Sequence, residues 1–571
     1  MIWWLIDEAR ARLEKASLVA LQEENDWLTS VRVRFLDNLQ LCVDVEVAHR
    51  GEKFPLAVIY PINFPDTPPI VMPHDERRLS DHQYGAGGEL CLQWRPDNWD
   101  AAVTGAMMVE SAYGLIAAER PPDGRTGAVP SDHRTSLAAE LRFETWRLMV
   151  PKGAWASLEG HLSEMVVKIS LAMTARHTNR VAHLTTIGAP GNELWVSPQP
   201  VLKNAGTRTG YLLRTRQDMS ALAQHGGGEI DDLSKLLPDL APLIGNQELP
   251  FLIVLEEGGR HTAYDIQWSR NGLPLLVPYR IIEEGELAKR SASSRDEIST
   301  KSVAIVGCGS IGSKIGASLA RSGVRRFLLV DEDVFLTGNL VRNELDALAI
   351  GWHKVDALSD RIQQIVADAD VVTRKVALGG QTSAIAMDAT IELIGDCDLI
   401  IDATADPTSF NLCAGASKRN RKPMVWAEVF GGGIGGIVAR VRPETDPPPL
   451  EARNQISTWC EDHNKPWEAA PKGRYEANPD EGPPFVADDA DVAVIAAHAT
   501  RFAIDILEGG ETAFPFSAYV IGLKKAWIFE APFDTWPIHL RTLGPWEVDT
   551  GSASSDVIGG LMAELAGEDV R

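Results

Sequence analysis

The chain is short of cysteine, of positive charge and of long apolar runs, and each shortage argues against a class of protein. Its 571 residues hold six cysteines, at 42, 91, 308, 397, 413 and 460. None forms a Cys-x-x-Cys pair, which argues against a zinc knuckle. So few thiols in so long a chain fit a reduced, intracellular setting rather than a disulfide framework. Lys and Arg number 55 against 79 Asp and Glu, a formal charge of -24. Such a surface repels phosphate backbones and anionic lipid on average, so nucleic-acid binding is disfavoured as the main task. No stretch approaches the roughly 18 apolar residues of a membrane span. The opening MIWWLIDEAR has neither a basic start nor an apolar run long enough for a signal peptide. A soluble, cytoplasmic protein is the expectation.

What is present is enough apolar material, 44% of the residues, for several cores, and chains beyond about 250–300 residues usually divide. Leu5, Ile6, Ala9, Leu13 and Leu21 recur at helical spacing and predict an amphipathic first helix. Between Trp27 and Ile70 the runs VRVRFL, LQLCVDVEV and FPLAVIY, broken at Asn38 and Gly51, predict an antiparallel meander. A proline-rich segment, PINFPDTPPIVMP, leads through a loop to LCLQW and a helix over 101–120. The stretch PPDGRTGAVPSDH, residues 121–133, is a linker by composition. Residues 134–285 are harder to read: helical pieces near 135–150 and 155–173, then strand-like runs LWVSPQ, TGYLLR, PFLIVLE and AYDIQWS, predict an α+β middle domain after which 283–301 is a polar connector. From Ser302 strands alternate with helices, as in a parallel doubly wound sheet. The division expected is 1–133, 134–285 and 286–571.

The third region carries the first chemical signal. Gly307, Gly309 and Gly312 form Gly-x-Gly-x-x-Gly between the strand VAIVG and a helix, and Asp331 closes the following strand. Glycines let backbone approach phosphate, the helix N-terminus faces negative charge, and the carboxylate accepts a ribose hydroxyl. This fingerprint alone suits NAD as well as ATP. The residues that follow are Asp331-x-Asp333, then Gly338-Asn339-Leu340-Val341-Arg342-Asn343, then Ile350-Gly351-Trp352-His353-Lys354, then LIIDATAD. In this order they resemble the ThiF family and the ubiquitin-activating enzymes, over about 300–440.

That resemblance implies ATP with Mg²⁺: a carboxylate is joined to the α-phosphate and pyrophosphate leaves. Arg342 and Lys354 would offset phosphate charge, Asn339 would hydrogen-bond phosphate, and an aspartate of DATAD would hold the metal. The family's second aspartate falls on Ala405, so Asp406 is favoured and Asp402 stays open; Asn343 replaces a glutamine. An arginine reaching a dimer partner's ATP would be Arg290 or Arg295.

The N-terminal run YPINFPDTPPIVMP, then HQYGAGGELCLQWRPDNW, places Tyr60, Pro61, Pro68, Pro69, Gly88, Cys91, Leu92 and Trp99 in order. It resembles the ubiquitin-conjugating fold over roughly 1–120, which implies that Cys91 is an acceptor thiol. His82-Gln83-Tyr84 stands where that family has His-Pro-Asn, so the oxyanion donor is open between Asn98 and backbone amides, with His82 a possible base. An activating enzyme that forms a thioester needs a second cysteine. Cys460, in NQISTWCEDHNKPW within an expected Pro- and Asn-rich loop at 442–488, is the candidate, although Glu461 and Asp462 oppose thiolate formation.

A conjugating-like half before an activating-like half, with a middle domain between, resembles the CD-NTase-associated ubiquitin-transferases of bacterial CBASS antiphage systems. The resemblance implies a homodimer, the C-terminus of a cyclic-dinucleotide synthase as acyl donor, thioesters on Cys460 and then Cys91, and a lysine amine on a target protein. A ThiF-type sulfur-carrier adenylyltransferase and a non-catalytic binder of a ubiquitin-like tail are the alternatives.

Overall fold

Alternating residues between 28 and 73 form an antiparallel meander, β1 (Leu28–Phe35), β2 (Leu41–His49), β3 (Glu52–Ile59) and β4 (Ile70–Pro73), in that order across the sheet. The computed structural model describes residues 2–74, 79–80, 83–84, 88–120, 141, 145–151, 153–158, 165–197, 205–216, 228–229, 249–256, 261–283, 295–465, 487–542, 546 and 555–566. The expected linker at 121–133, most of the connector at 283–301, His82 and Arg290 lie outside these residues, as does the side chain of Arg295. Two compact units are present, Met1–Phe143 and Glu144–Arg571.

In the first unit one face of the meander buries Val43, Val45, Val47, Leu56 and Val58. Two longer helices complete the core. The amphipathic helix breaks at Asp7, whose side chain caps Arg10 N–H, giving α1 (Trp3–Ile6) and α2 (Glu8–Glu24). The face read from the sequence is therefore corrected: Leu5, Ile6 and Leu13 are exposed, and α2 instead buries Leu18 and Glu14. The physical reason is a charged anchor. Glu14 accepts from the Tyr60 hydroxyl at 2.8 Å, from Gly105 N–H at 2.6 Å and from Arg10 Nε at 2.8 Å, while Arg10 Nη2 reaches Val103 O at 2.7 Å. This turns α2 toward the start of α3 (Gly105–Glu119). Gly105 is required there, because an added Cβ would sit 2.0 Å from Tyr60 Oη. Glu14→Ala leaves the Arg10 guanidinium, 12% exposed, without its carboxylate. Breaking a buried pair costs about 3–5 kcal/mol. Urea unfolding of the first unit should show that loss, and a change under about 1 kcal/mol would mean the network is not the anchor.

The second unit opens with strands: β7 (Trp146–Val150), β8 (Met165–Arg176), β9 (Asn179–Ala189), β10 (Asn192–Val196), β11 (Gly206–Thr215), β12 (Phe251–Glu256), β13 (His261–Trp268) and β14 (Pro274–Glu283). A hairpin in the first unit supplies β5 (Gln83–Tyr84) and β6 (Glu89–Leu90). Pairing runs β9-β7-β14-β13-β12-β11-β8, and β8 returns to β9, so seven strands close a barrel with β10 on its edge. The expectation of helices near 135–150 and 155–173 is corrected. Where described, those stretches hold β7, β8 and one short 3-10 turn at Ala156–Leu158. Ile169 and Leu171 of β8, Ala182 and Leu184 of β9, and Phe251 and Ile253 of β12 fill one core at every second position, the spacing of a strand face.

The doubly wound sheet follows. Its order is β17 (Asp370–Arg374), β16 (Arg326–Val330), β15 (Ser302–Val306), β18 (Leu399–Asp402), β19 (Met424–Phe430), β20 (Gly435–Val441), β21 (Ala518–Gly522) and β22 (Thr535–Ile538). The first five are parallel and the rest antiparallel. After a short α4 (Arg295–Ser299), its helices are α5 (Ser310–Ser322), α6 (Lys354–Ile365), α7 (Ala384–Asp396), α8 (Pro407–Asn420), α9 (Pro449–Asp462) and α10 (Asp489–Glu508). Cores lie on both faces of the sheet. Among the described residues no helix is long and apolar enough to cross a membrane.

Candidate nucleotide cleft and candidate thiols

From β15 the chain proceeds to β16 on one side, while β18 joins on the other. Such a reversal leaves a crevice at the strands' C-terminal ends. A cavity of about 460 Å³ lies there, lined by Gly307, Gly309, Asp331, Glu332, Asp333, Lys354, the turn at Gly379–Gly380, Thr404, Asp406, Thr408 and Ser409 among others.

The three glycines do different work. Gly307 has φ +87°, a backbone state that disfavours a side chain. At Gly309, the N-cap of α5, an added Cβ would meet nothing within 4 Å, so bare backbone and the helix N-terminus face open space. At Gly312 a Cβ would lie 1.8 Å from Gly307 O. Gly312 does not line the cleft; it lets the helix close against the loop. Asp331 accepts from Cys308 N–H at 2.7 Å and from Asp333 N–H at 2.8 Å, fixing the loop. Burial pushes its carboxyl up, while Lys354 pulls it down. Lys354, 8% exposed at the start of α6, is ion-paired with Asp333.

The two metal candidates separate. Asp406 lines the cleft and caps α8, accepting from Ser409 N–H through Oδ2 at 2.8 Å. Asp402 is 3% exposed at the end of β18, and its Oδ1 accepts from Thr404 N–H at 3.0 Å and Thr404 Oγ1 at 2.6 Å. It does not line the cleft, and burial pushes its carboxyl up to about 6. Asn339 and Arg342 do not line it either: Asn339 Oδ1 accepts from Leu336 N–H at 2.8 Å, and Arg342 is half-buried. Asn343 reaches the glycine loop through Cys308 O at 3.4 Å.

Among the described residues of the lining, four carboxylates, from Asp331, Glu332, Asp333 and Asp406, thus accompany one lysine. A polyphosphate entering this lining needs further positive charge. Mg²⁺ fits such a setting, since it binds through one or two carboxylates plus phosphate oxygens and keeps several waters. Asp406 would hold it, and the ion would neutralise phosphate charge. No cluster of three or more His, Cys, Asp or Glu suited to a metal exists among the described residues. Thr404, Thr408, Ser409 and the turn at Gly379–Gly380 were not anticipated. A signal existed for the first group: Asp406-Pro407 reads as N-cap and first helical residue, which aims the start of α8 into the cleft.

Of the six cysteines only Cys91 is not buried. It follows the hairpin of β5 and β6, in which Gln83 ties the loop by donating from Nε2 to Gly88 O at 2.7 Å and accepting from Ser80 N–H at 3.1 Å. Cys460 does not lie in a loop. It sits in the last turn of α9, 3% exposed among apolar side chains, and burial pushes its thiol up to about 11, with Lys465 opposing. Pro449 misled the reading of this stretch, because proline is tolerated in the first turn of a helix and begins α9 here.

Residues 284–451, which include the glycine loop, Lys354 and the described cleft lining, match the model of the ThiF family. The uncharacterized protein y4oA of Sinorhizobium fredii is 30% identical over 155 residues, 26% of each chain. The ATP-dependent ubiquitin transferase-like protein Cap2 of Enterobacter hormaechei is 29% identical over 244 residues, 41% of this chain and 38% of that protein. The crystal structure of E. coli MccB with ATP aligns with 44% of this chain and 67% of its own, at 17% identity and a TM-score of 0.33. The chain therefore spans about a quarter to two fifths of the length of these curated relatives.

Proposed function

We propose that the C-terminal part uses ATP and Mg²⁺ to adenylate a protein's C-terminal carboxylate, and that Cys91 carries the activated acyl group to an amine. The observation that carries this reading is the cleft: open backbone at Gly309, the N-terminus of α5, Asp331 and Lys354 converge on it within a ThiF-matching segment. The carboxylate oxygen attacks the α-phosphorus and pyrophosphate leaves, so Lys354 is placed to offset charge on the phosphates. A carboxylate is a poor electrophile, and the acyl-adenylate makes it a good one. Thiolate attack then expels AMP and keeps the acyl group reactive as a thioester.

The transfer order proposed is Cys460, then Cys91, then a target lysine. The acyl donor proposed is the C-terminus of a cyclic-dinucleotide synthase. The burial of Cys460 favours a second order, in which the adenylate passes directly to Cys91. A homodimer is proposed through the adenylation part, where Leu336, Val341, Leu348 and Trp352 expose apolar side chains between β16 and α6; sedimentation that returns only monomer would remove that element.

The test is ATP–pyrophosphate exchange driven by a peptide ending in the donor's C-terminal residues. Exchange should depend on Mg²⁺ and vanish when the same peptide carries a C-terminal amide, which has no carboxylate to adenylate. Equal exchange with the amide, or NADH turnover in place of exchange, would overturn the reading.

A further inference from the structure

We propose that Arg95 is a catalytic residue of the Cys91 site, its guanidinium holding the negative charge of the sulfur when the acyl group arrives and again when it leaves. The inference rests on the reading that Cys91 carries an acyl group.

Arg95 Nη1 donates to Cys91 Sγ at 3.1 Å. The contact is built by the loop rather than by a wandering surface rotamer. Arg95 N–H donates to Asn98 Oδ1 at 2.7 Å, Asn98 Nδ2 donates to Gln93 O at 2.7 Å, and Asn98 N–H donates to Arg95 O at 3.1 Å. Gln93 N–H in turn donates to Ser111 Oγ of α3 at 2.9 Å. Residues 93–98 are thus closed on themselves and anchored to a helix. The arginine side chain is 20% exposed and its Nε is buried without a partner. Its carboxylate partner among the described residues is Asp97, at 3.3 Å and 62% exposed. Exposed pairs of this kind are weak, so the guanidinium charge remains available to the sulfur.

The chemistry asks for such a group. On loading, the Cys91 sulfur attacks the donor's carbonyl carbon as thiolate and the donor's leaving group departs with its electron pair. On discharge the amine nitrogen forms the new C–N bond, the C–S bond breaks, its pair returns to sulfur, and the amine's proton passes to water. Both steps place a full negative charge on Sγ at one end. A fixed cation in contact stabilises that charge without moving a proton. Asn98, which the sequence offered as an oxyanion donor, has both ends of its amide engaged with loop backbone, and acts as a positioning residue through Arg95.

The experiment measures the rate of iodoacetamide alkylation of Cys91 at pH 7 in the full-length protein, by mass spectrometry of the Cys91 peptide. The thiolate is the alkylated species, and a fixed cation in contact stabilises it. Arg95→Gln is expected to slow alkylation about tenfold. Arg95→Lys, which keeps the charge but not the fork, should fall between. Asn98→Ala should slow alkylation too. Equal rates in wild type and Arg95→Gln overturn the proposal. In parallel, discharge of a preformed Cys91 thioester by free amine should slow at least about tenfold in Arg95→Gln, with pyrophosphate exchange unchanged; unchanged discharge overturns the catalytic role. If wild type exchanges pyrophosphate but never forms a thioester on Cys91, the acyl-carrier reading fails, while slowed alkylation in Arg95→Gln still assigns Arg95 to the sulfur.

Discussion

Lys354→Ala is expected to abolish ATP–pyrophosphate exchange, a loss of about 10²–10³ or more, the scale on which removal of one aligned charge-stabilising donor acts. The size of the effect follows from the lining. Among the described residues that border the cleft Lys354 is the one lysine or arginine, and Asp331, Glu332, Asp333 and Asp406 border it too. Without the ammonium those carboxylates face the polyphosphate with no protein cation on the same wall. The fold should survive, because the partner of Lys354, Asp333, is mostly exposed and regains water when the pair is broken. A thermal melt close to wild type together with lost exchange separates chemistry from unfolding. Exchange within tenfold of wild type would mean that phosphate charge is offset elsewhere, with Arg342 the first residue to test. Asp406→Ala should show a comparable loss that excess Mg²⁺ partly restores. Asp402→Ala should act mainly through stability, since that carboxylate is spent on Thr404.

The doubly wound part was legible because its signals are local. A strand, a glycine turn and a helix start fall within a dozen residues, and the aspartate closing β16 is the next element's own last signal. The barrel was not legible for the opposite reason. β7 pairs with β14 and β8 with β11, partners far apart in the chain, so no window contains the evidence for closure. MVVKISLAMTAR in β8 also mixes β-branched residues with Leu, Ala and Met, which are good helix formers; tertiary pairing decided between them. At the first helix the apolar spacing was real but pointed outward, because one buried carboxylate, Glu14, outweighed the pull of Leu5, Ile6 and Leu13. The candidate residues divided in the same way. Gly307, Gly309, Asp331, Lys354 and Asp406 meet in one cleft. Gly312, Asn339, Arg342 and Asp402 do not line it, a distinction that depends on side-chain direction and that motif order does not carry.

Cys91→Ala is expected to eliminate amide product while leaving pyrophosphate exchange at the wild-type rate, and Cys460→Ala decides how the acyl group reaches Cys91. In the relay, Cys460→Ala still makes adenylate and loads neither cysteine, whereas Cys91→Ala stops at a reductant-sensitive thioester on Cys460. As packed, Cys460 is a poor nucleophile. With its thiol at about 11, only about one molecule in 10⁴ is thiolate at pH 7, and the thiolate is the reactive form. Its place lowers the obstacle. Cys460 stands two residues before the end of α9, and terminal turns open at far less cost than the core. That end is held by Trp527 Nε1 donating to His463 O at 2.6 Å and by the stacking of Trp459 on His463 at 4.0 Å. The relay therefore predicts that Cys460 resists alkylation in the resting protein, becomes reactive once ATP and the donor peptide are bound, and is more reactive at rest in Trp527→Phe, which loses the indole donor. A non-reducing gel with labelled peptide reads the outcome. If Cys460→Ala loads Cys91 at the wild-type rate, the acyl group passes straight from the adenylate, and the buried thiol is part of the core and nothing more.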